Sequence, residues 1–571
     1  MRNKDFVVRF AGEGGGGLVT SAELLAQVTA QVGYHVKTYV TFPSQIMGGP
    51  TFAQARISTE PVLSYGDELD VLVALDREAY DTHQSEVRDG GVIIYNSEDF
   101  QLEEDGKSFG MRIDELAKST GNPRAANMVM LGAIANLVNM PEHYLPEFVT
   151  KRFTRGRPGD EEIIRGNIMA LSLGSEEAKK SGFSLGELEE PQPPVDNQIL
   201  IKGNDSLSLG AIAAGLDFFA GYPISPATTV LVYMERNLIG PGKFVYQASS
   251  EIESINAIVG AGYAGKKAMT STSGPGFSLM SEGIGLAWMA EIPAVIVNVQ
   301  RGGPATGLPT KTEQSDLLAA LHPAHGDVSI PIIAVGSVEE CFYGAIIALN
   351  WAERYQGPVI LLSDHALSEQ AQNIPKPDLE KIVVENRKVY QGQNGYERYA
   401  GTEVSPMPIP GGPGSYVANA SEHDGMGDTT HLPSRHVEMT ERRFGKLKLL
   451  EDGTYECENA EESIALLPWG GSKGAVREAY NQMMKQGQRI GWYYTMQLNP
   501  LPTKLLEELK QKDLVLVPEL NYLGQFSSIL RAQGVRAESI TQYEGRPFKV
   551  RDLVAWITDR MQAQKKELVK V

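Results

Sequence analysis

The sequence predicts a multidomain α/β protein in which strands alternate with covering helices. Three observations carry this. Short apolar runs rich in Val and Ile alternate with stretches of helical period in three separate parts of the chain. At 571 residues the chain is long enough for about three or four domains. Hydrophobic residues at 42% and charged residues at 22% are an ordinary globular balance.

The first region, 1–190, contains the strand-like DFVVRF, the helical LVTSAELLAQVTAQV and the further strands VLVALD and GGVIIYN. Their alternation predicts a parallel sheet covered by helices. The acidic, proline-rich GELEEPQPPVDNQ, from Gly186 to Gln198, is the expected linker. A second α/β region, 199–384, has the strands DFFAGYP, KKAMTSTS, PAVIVNVQ and PVILLSD. The stretch 385–455 is rich in Gly, Pro and polar residues and is expected to be a connector. The last region, 456–571, returns to alternation with SIALLPWG, an amphipathic helix, RIGWYY, LVLVPE and a C-terminal helix. No short-period repeat is present.

The formal net charge of -19 argues against nucleic acid or an anionic membrane as a main partner, and leaves a local electropositive pocket possible. No run of about 18 apolar residues predicts a membrane span, and MRNKDFVVRF does not resemble a signal peptide. A cytoplasmic chain is expected. The two cysteines, Cys341 and Cys457, are too few for an iron–sulfur cluster and have no zinc spacing. They read as free thiols, and no metal site is expected on this chain.

Ligands of open parallel sheets bind beyond the carboxyl ends of the strands. Three unusual segments of the second region start there: ISPATT after DFFAGYP, GPGFSLM after KKAMTSTS, and RGGPATGLPTKTEQSD after PAVIVNVQ. Ser225 and Pro226 read as an N-cap and a first-turn proline, so the following helix would aim its N-terminus at that edge. Such an end suits a carboxylate or phosphate; a capped helix without a ligand gives the same pattern. Arg301 follows an apolar strand and precedes two glycines and a proline, a placement suited to a two-pronged grip on a carboxylate. A strand-end salt bridge explains it equally. Thr310, Lys311 and Thr312 are further anion contacts, or a solvated loop.

SSEIESINAIVGAGYAG reads as a helix with Glu251 in line with Ile255, Ile258 and Gly262, and Glu253 on a different face. Glu251 is therefore the carboxylate carried inward, where it needs a partner; the alternative is a first-turn glutamate favoured by the helix dipole. Gly12–Gly17, GEGGGG, is a phosphate-cradle candidate or a plain tight turn. The following strand, YHVKTYVTF, ends without the acid that would bind a ribose hydroxyl. FPSQIMGGPTFAQARIS is conspicuous and yields no role by itself. His423 and Asp424, in the connector, either reach an active site or face water, and water is the expectation.

Together, YPISPAT, SEIESINAIVGAGYAG, TSTSGPGFSLMSEG and QRGGPATGLPTKTEQSDL resemble the alpha subunit of 2-oxoacid:ferredoxin oxidoreductases, of the 2-oxoglutarate type. The glycine loop and FPSQIMGGPTFAQARIS resemble that family's gamma domain, fused in front. The resemblance implies a gamma domain over 1–190, a transketolase-like domain binding the pyrimidine of thiamine diphosphate over 199–384, a connector, and a transketolase-C-like domain over 456–571. It implies that Glu251 hydrogen-bonds the aminopyrimidine, with Tyr222 and Pro223 at the cofactor. The thiazolium is then the electron sink for decarboxylation. Arg301 falls where the family grips the substrate carboxylate. Ser225 replaces the usual threonine of the Tyr-Pro-Ile-Thr-Pro motif, keeping the hydroxyl and losing a methyl. Thr310 falls where the distal end of 2-oxoglutarate is touched, and the expectation extends to Lys311.

The family's Gly-Asp-Gly motif for the cofactor's metal and diphosphate is missing. The resemblance therefore implies a beta subunit that brings the diphosphate half, Mg2+ and a [4Fe-4S] cluster, in an alpha2beta2 assembly. Coenzyme A is the cosubstrate, ferredoxin takes the electrons, and the reverse reaction fixes CO2. Rival readings are a pyruvate or other 2-oxoacid enzyme, a dinucleotide-binding dehydrogenase, and a non-catalytic scaffold.

Overall fold

The computed structural model describes residues 2–14, 17–43, 49–191, 197–393 and 395–568. The chain divides into two compact units, Met1–Ile201 with Gln370–Lys376, and Lys202–Glu369 with Pro377–Val571.

The first unit is built on an eight-stranded sheet. Its order is Ser108–Met111, Val87–Asn96, Leu69–Ala74, Asp5–Glu13, Pro50–Ser58, His35–Thr41, Ala371–Pro375 and Gln198–Lys202. The predicted parallel sheet holds for the first four strands. The Asp5–Glu13, Pro50–Ser58, His35–Thr41 and Ala371–Pro375 pairings are antiparallel, a correction to the expectation. The connection from His35–Thr41 to Pro50–Ser58 is too short for the helical crossover that a parallel pair requires. Pro50–Ser58, at the heart of the sheet, is what the second half of FPSQIMGGPTFAQARIS becomes. Gly15, Gly16 and residues 44–48 lie outside the described residues, as do 192–196 of the expected linker. Among the rest of that linker, Glu187–Leu188 pairs with Arg2–Asn3.

Helix Leu18–Val32 covers the sheet as its apolar spacing predicts and stops at Gly33, at φ 115°. Helices Ala126–Leu137 and Asp160–Ser181 pack with their backbones in contact. A Cβ on Gly132 would lie 2.0 Å from the Leu171 carbonyl oxygen, and one on Gly174 would lie 1.9 Å from that of Val129. Only glycine permits this approach.

The second unit holds two sheets. The larger has the order Phe244–Gln247, Phe218–Gly221, Ala268–Thr272, Ala294–Gln300, Pro358–Asp364, Ile332–Ala334 and Gln497–Asn499. All neighbours are parallel except the last pair. Every residue of Ala294–Gln300 is buried, which is why its sequence is a continuous apolar run broken only by Asn298 and Gln300. Each buried Val or Ile there contributes about 1.5–3 kcal/mol. The smaller sheet runs Glu456–Glu458, Gly491–Tyr494, Ile464–Leu466, Leu514–Glu519 and Ala537–Thr541. Because Gln497–Asn499 joins the larger sheet, the C-terminal region is locked to the second region by backbone pairing.

The 385–455 segment carries a helix, Pro433–Gly445, and the buried residues Arg398, Tyr399 and Arg442. His423 does not face water: it is 1% exposed and its ring lies 4.3 Å from that of Tyr399. Its Nδ1 is 3.0 Å from the Ser421 carbonyl oxygen, and apolar packing around Tyr399 carries the ring inward. Asp424 accepts from the Met426 and Asp428 N–H groups and closes a turn. No helix among the described residues is long and apolar enough to cross a membrane.

Candidate active site

Phe218–Gly221, Ala268–Thr272 and Ala294–Gln300 are adjacent parallel strands, so the three unusual loops leave one sheet edge together. The Tyr222–Ala227 loop and the Arg301 loop meet directly: Arg301 Nη1 donates to the Ser225 carbonyl at 2.6 Å. Arg301 is 7% exposed, and its Nε has no partner. Burial lowers its pKa, and Asp316 opposes this. A buried guanidinium with an unused N–H facing a built loop is a receptor for an anion.

Ser225 is not an N-cap. The helix spans Thr228–Asn237 with Ala227 at its N-cap and no side-chain capping bond. Asn204 Nδ2 donates to the Pro226 carbonyl at 3.0 Å, so this part of the turn is held from outside the helix. Ser225 remains exposed, as do Tyr222 and Pro223 on the same loop.

Glu251 opens the helix Glu251–Tyr263 and is 6% exposed. The two glutamates of its first turn are used differently. Glu253 is consumed by capping: its carboxylate accepts from Tyr246 Oη at 2.5 Å and from both the N–H and the hydroxyl of Ser249 at 2.6 Å. These bonds hold its pKa down at about 2. Ser250 accepts in turn from the Glu253 N–H, a variant of the capping box. Glu251 has no hydrogen-bond donor or cation on its carboxylate among the described residues. It packs instead against Gly276, where an added Cβ would stand 2.5 Å from Glu251 Oε1 and 2.2 Å from Thr272 Oγ1. An acceptor so enclosed suits a ring N–H brought by a ligand, and so fits the imino tautomer of the thiamine diphosphate aminopyrimidine, whose ring nitrogen carries the proton. The hydroxyl of Ser273, at the same turn, is buried without a partner.

The long loop after Arg301 folds back, with the Gly302 N–H donating to the Lys311 carbonyl at 3.0 Å. Thr310 is 7% exposed and its hydroxyl is unpartnered. The Lys311 ammonium has neither hydrogen bond nor ion pair among the described residues; burial lowers its pKa, and Arg546 adds to this. Thr312 is not available to an anion, because its hydroxyl donates to Asp364 at 2.9 Å. Gln314 is fully buried. Its Nε2 donates to the Trp469 carbonyl at 2.6 Å, and its Oε1 accepts from the Leu520 N–H at 3.0 Å.

Three residues at this edge escaped the motif argument. Asp316 accepts from Asn298 Nδ2 at 3.0 Å, and burial raises its pKa against the pull of Asn298 and Arg301. A Cβ on Gly274 would stand 3.3 Å from Asp316 Oδ2, so the short helix Gly274–Leu279 touches Asp316 at one residue and Glu251 two residues later. His365, at the end of Pro358–Asp364, is 2% exposed; burial, then Lys311 and Arg301, lower its pKa to about 4. The signal for Asn298 was a polar residue inside an apolar strand, and for His365 a polar pair at a strand's carboxyl end.

The family model described as pyruvate flavodoxin/ferredoxin oxidoreductase, thiamine diphosphate-binding, matches residues 209–442, and that described as pyruvate ferredoxin/flavodoxin oxidoreductase matches 7–177. The 2-oxoglutarate oxidoreductase subunit KorA of Mycobacterium tuberculosis is 30% identical, over 100% of this chain and 93% of its own length. The chain belongs to the 2-oxoacid:ferredoxin oxidoreductase family. Its relatives include the 2-oxoglutarate synthase subunit KorA of Methanocaldococcus jannaschii, 37% identical over 57% of this chain and 88% of that one. Among solved structures, the 2-oxoglutarate:ferredoxin oxidoreductase of Magnetococcus marinus, with 2-oxoglutarate, coenzyme A and succinyl-CoA bound, superposes with a TM-score of 0.92. It is 38% identical and covers 98% of this chain and 100% of its own. Family membership establishes a multidomain α/β oxidoreductase with a thiamine diphosphate-binding domain, and sets aside the dinucleotide-dependent dehydrogenase.

Proposed function

We propose that this chain is the alpha subunit of a 2-oxoglutarate:ferredoxin oxidoreductase. The reaction joins 2-oxoglutarate, coenzyme A and two oxidised ferredoxins to give succinyl-CoA, CO2, a proton and two reduced ferredoxins. The observation that carries this reading is the likeness, over nearly the whole chain, to a solved enzyme holding that substrate and that product.

In this reading the chain supplies the pyrimidine side of a shared site. Bound thiamine diphosphate supplies the electron sink that makes loss of CO2 possible. Glu251 accepts a hydrogen bond from the ring and holds a proton there, away from water and competing donors. Tyr222 and Pro223 flank it on the loop. Arg301 takes the carboxylate next to the reacting ketone, with the Ser225 hydroxyl beside it. Thr310 and Lys311 receive the distal carboxylate. The diphosphate, Mg2+ and a [4Fe-4S] cluster belong to a beta subunit, in an alpha2beta2 assembly that passes electrons to ferredoxin in the cytoplasm. Supporting this division, Cys341 is buried and Cys457 exposed, both free thiols.

The test is anaerobic ferredoxin reduction by the purified two-chain complex on 2-oxoglutarate, pyruvate, and branched-chain and aryl oxoacids. The highest kcat/KM is expected for 2-oxoglutarate. A higher value on another oxoacid would overturn the substrate assignment.

A further inference from the structure

The turn after strand Ala537–Thr541 lies against the Arg301 loop. A Cβ on Gly545, at φ 70°, would stand 2.8 Å from Lys311 Cβ and 3.3 Å from Leu308 Cδ1. Gln542 Nε2 closes this turn by donating to the Arg546 carbonyl at 2.9 Å. The helix Gln525–Ala532 reaches the same loop: Gln525 Nε2 donates to the Ser315 carbonyl at 2.7 Å and its Oε1 accepts from the Leu318 N–H at 2.9 Å.

Arg546 therefore stands beside Lys311, and neither side chain has an ion pair or hydrogen bond among the described residues. Other half-buried cations of the same unit do have carboxylate partners, Lys243 with Asp217 and Lys473 with Glu340. Two like charges side by side repel unless an anion lies between them. The backbone bond from Gly302 to Lys311 holds the arms of the loop about one strand spacing, ~5 Å, apart. Arg301 and Lys311 both act electrostatically on the buried His365, so the two cations share one neighbourhood, as the two ends of a short diacid require. The buried His365 between the fields of Lys311 and Arg301 stays neutral, so it adds no third charge to the pocket.

We propose that Arg546 is a specificity-determining residue of the oxoacid site, which with Lys311 forms a cationic pair that receives the second carboxylate of a dicarboxylic 2-oxoacid. This rests on the substrate reading above and extends it to the C-terminal region. Lys311 supplies a point charge, and Arg546 the planar fork that distinguishes a carboxylate from an alkyl end.

The test uses the two-chain complex carrying Arg546→Gln, with Arg546→Lys as the conservative variant. The ratio of the KM for 2-oxoglutarate to that for pyruvate should rise about tenfold in Arg546→Gln, the value of one partly solvated charge-assisted hydrogen bond, with partial return in Arg546→Lys. The Ki of glutarate, which has both carboxylates and no ketone, should rise by the same factor. An unchanged ratio, or an equal rise for both oxoacids, would overturn the inference. So would a rise confined to the KM for coenzyme A, which would assign the pair to a phosphate. If the parent complex prefers pyruvate, the substrate reading fails separately; Arg546 is then judged by glutarate, standing if inhibition weakens in Arg546→Gln and falling if it does not.

Discussion

Gly276 lacks a side chain where Glu251 needs the space. A methyl group added there would stand 2.5 Å from the carboxylate and 2.2 Å from Thr272 Oγ1, so Gly276→Ala must displace one or both. Overpacking of this kind costs about 1–3 kcal/mol, so the chain should still fold. A misplaced proton-holding group should nevertheless reduce turnover about a hundredfold. Glu251→Ala should abolish turnover while the complex still assembles, as judged by size-exclusion chromatography. Full activity in Glu251→Ala would overturn the role given to Glu251. The neighbouring Glu253 shows why a first-turn carboxylate is not by itself a functional one: its oxygens are already engaged by Tyr246 and Ser249.

At the scale of elements, the Arg301–Asp316 loop depends on a partner outside its own region. Strand Ala294–Gln300 brings Arg301 to the edge, but Gln314 secures the far end of the loop to Trp469 and Leu520. Gln314→Ala would leave the buried Leu520 N–H unsatisfied, at about 1–3 kcal/mol, while the Trp469 carbonyl keeps only the Ser472 hydroxyl, 2.8 Å away. The expected result is faster amide hydrogen exchange over 301–316 and a larger change in the oxoacid KM than in kcat. Unchanged exchange in that loop would show that the clamp lies elsewhere.

For the second unit as a whole, the 385–455 segment is held by charge. Glu291, fully buried at φ 51°, meets Arg442 Nε at 2.8 Å, Lys446 Nζ at 2.9 Å and Arg398 Nη1 at 3.9 Å. Arg442 Nη1 also donates to the carbonyls of Ala400, Gly401 and Glu403. Burial pushes the Glu291 pKa up, and the three cations outweigh it and hold the carboxyl ionised; burial also takes Lys446 down to about 8. Removing one partner of such a cluster strands the others, at about 3–5 kcal/mol. Glu291→Gln should lower the thermal midpoint and open 385–455 to limited proteolysis. Equal protection in the variant and the parent would sink this account.

The sequence by itself determined the α/β class, the main strands, the shared edge of three loops and the inward face of Glu251. Each follows from local pattern: apolar runs make buried strands, parallel order gathers their ends, and helical spacing chooses a face. It also carried the family resemblance, which rests on ordered motifs. The antiparallel half of the first sheet was not legible, because pairing direction depends on the length of the connection, not on strand composition. Nor was the exposed, uncapped place of Ser225, or the withdrawal of Thr312 by Asp364, since both depend on partners distant in sequence. Only the tertiary structure set Arg546 beside Lys311 and His423 against Tyr399. Charge and burial act through space, and residues hundreds of positions apart acquire their surroundings only when the chain closes upon itself.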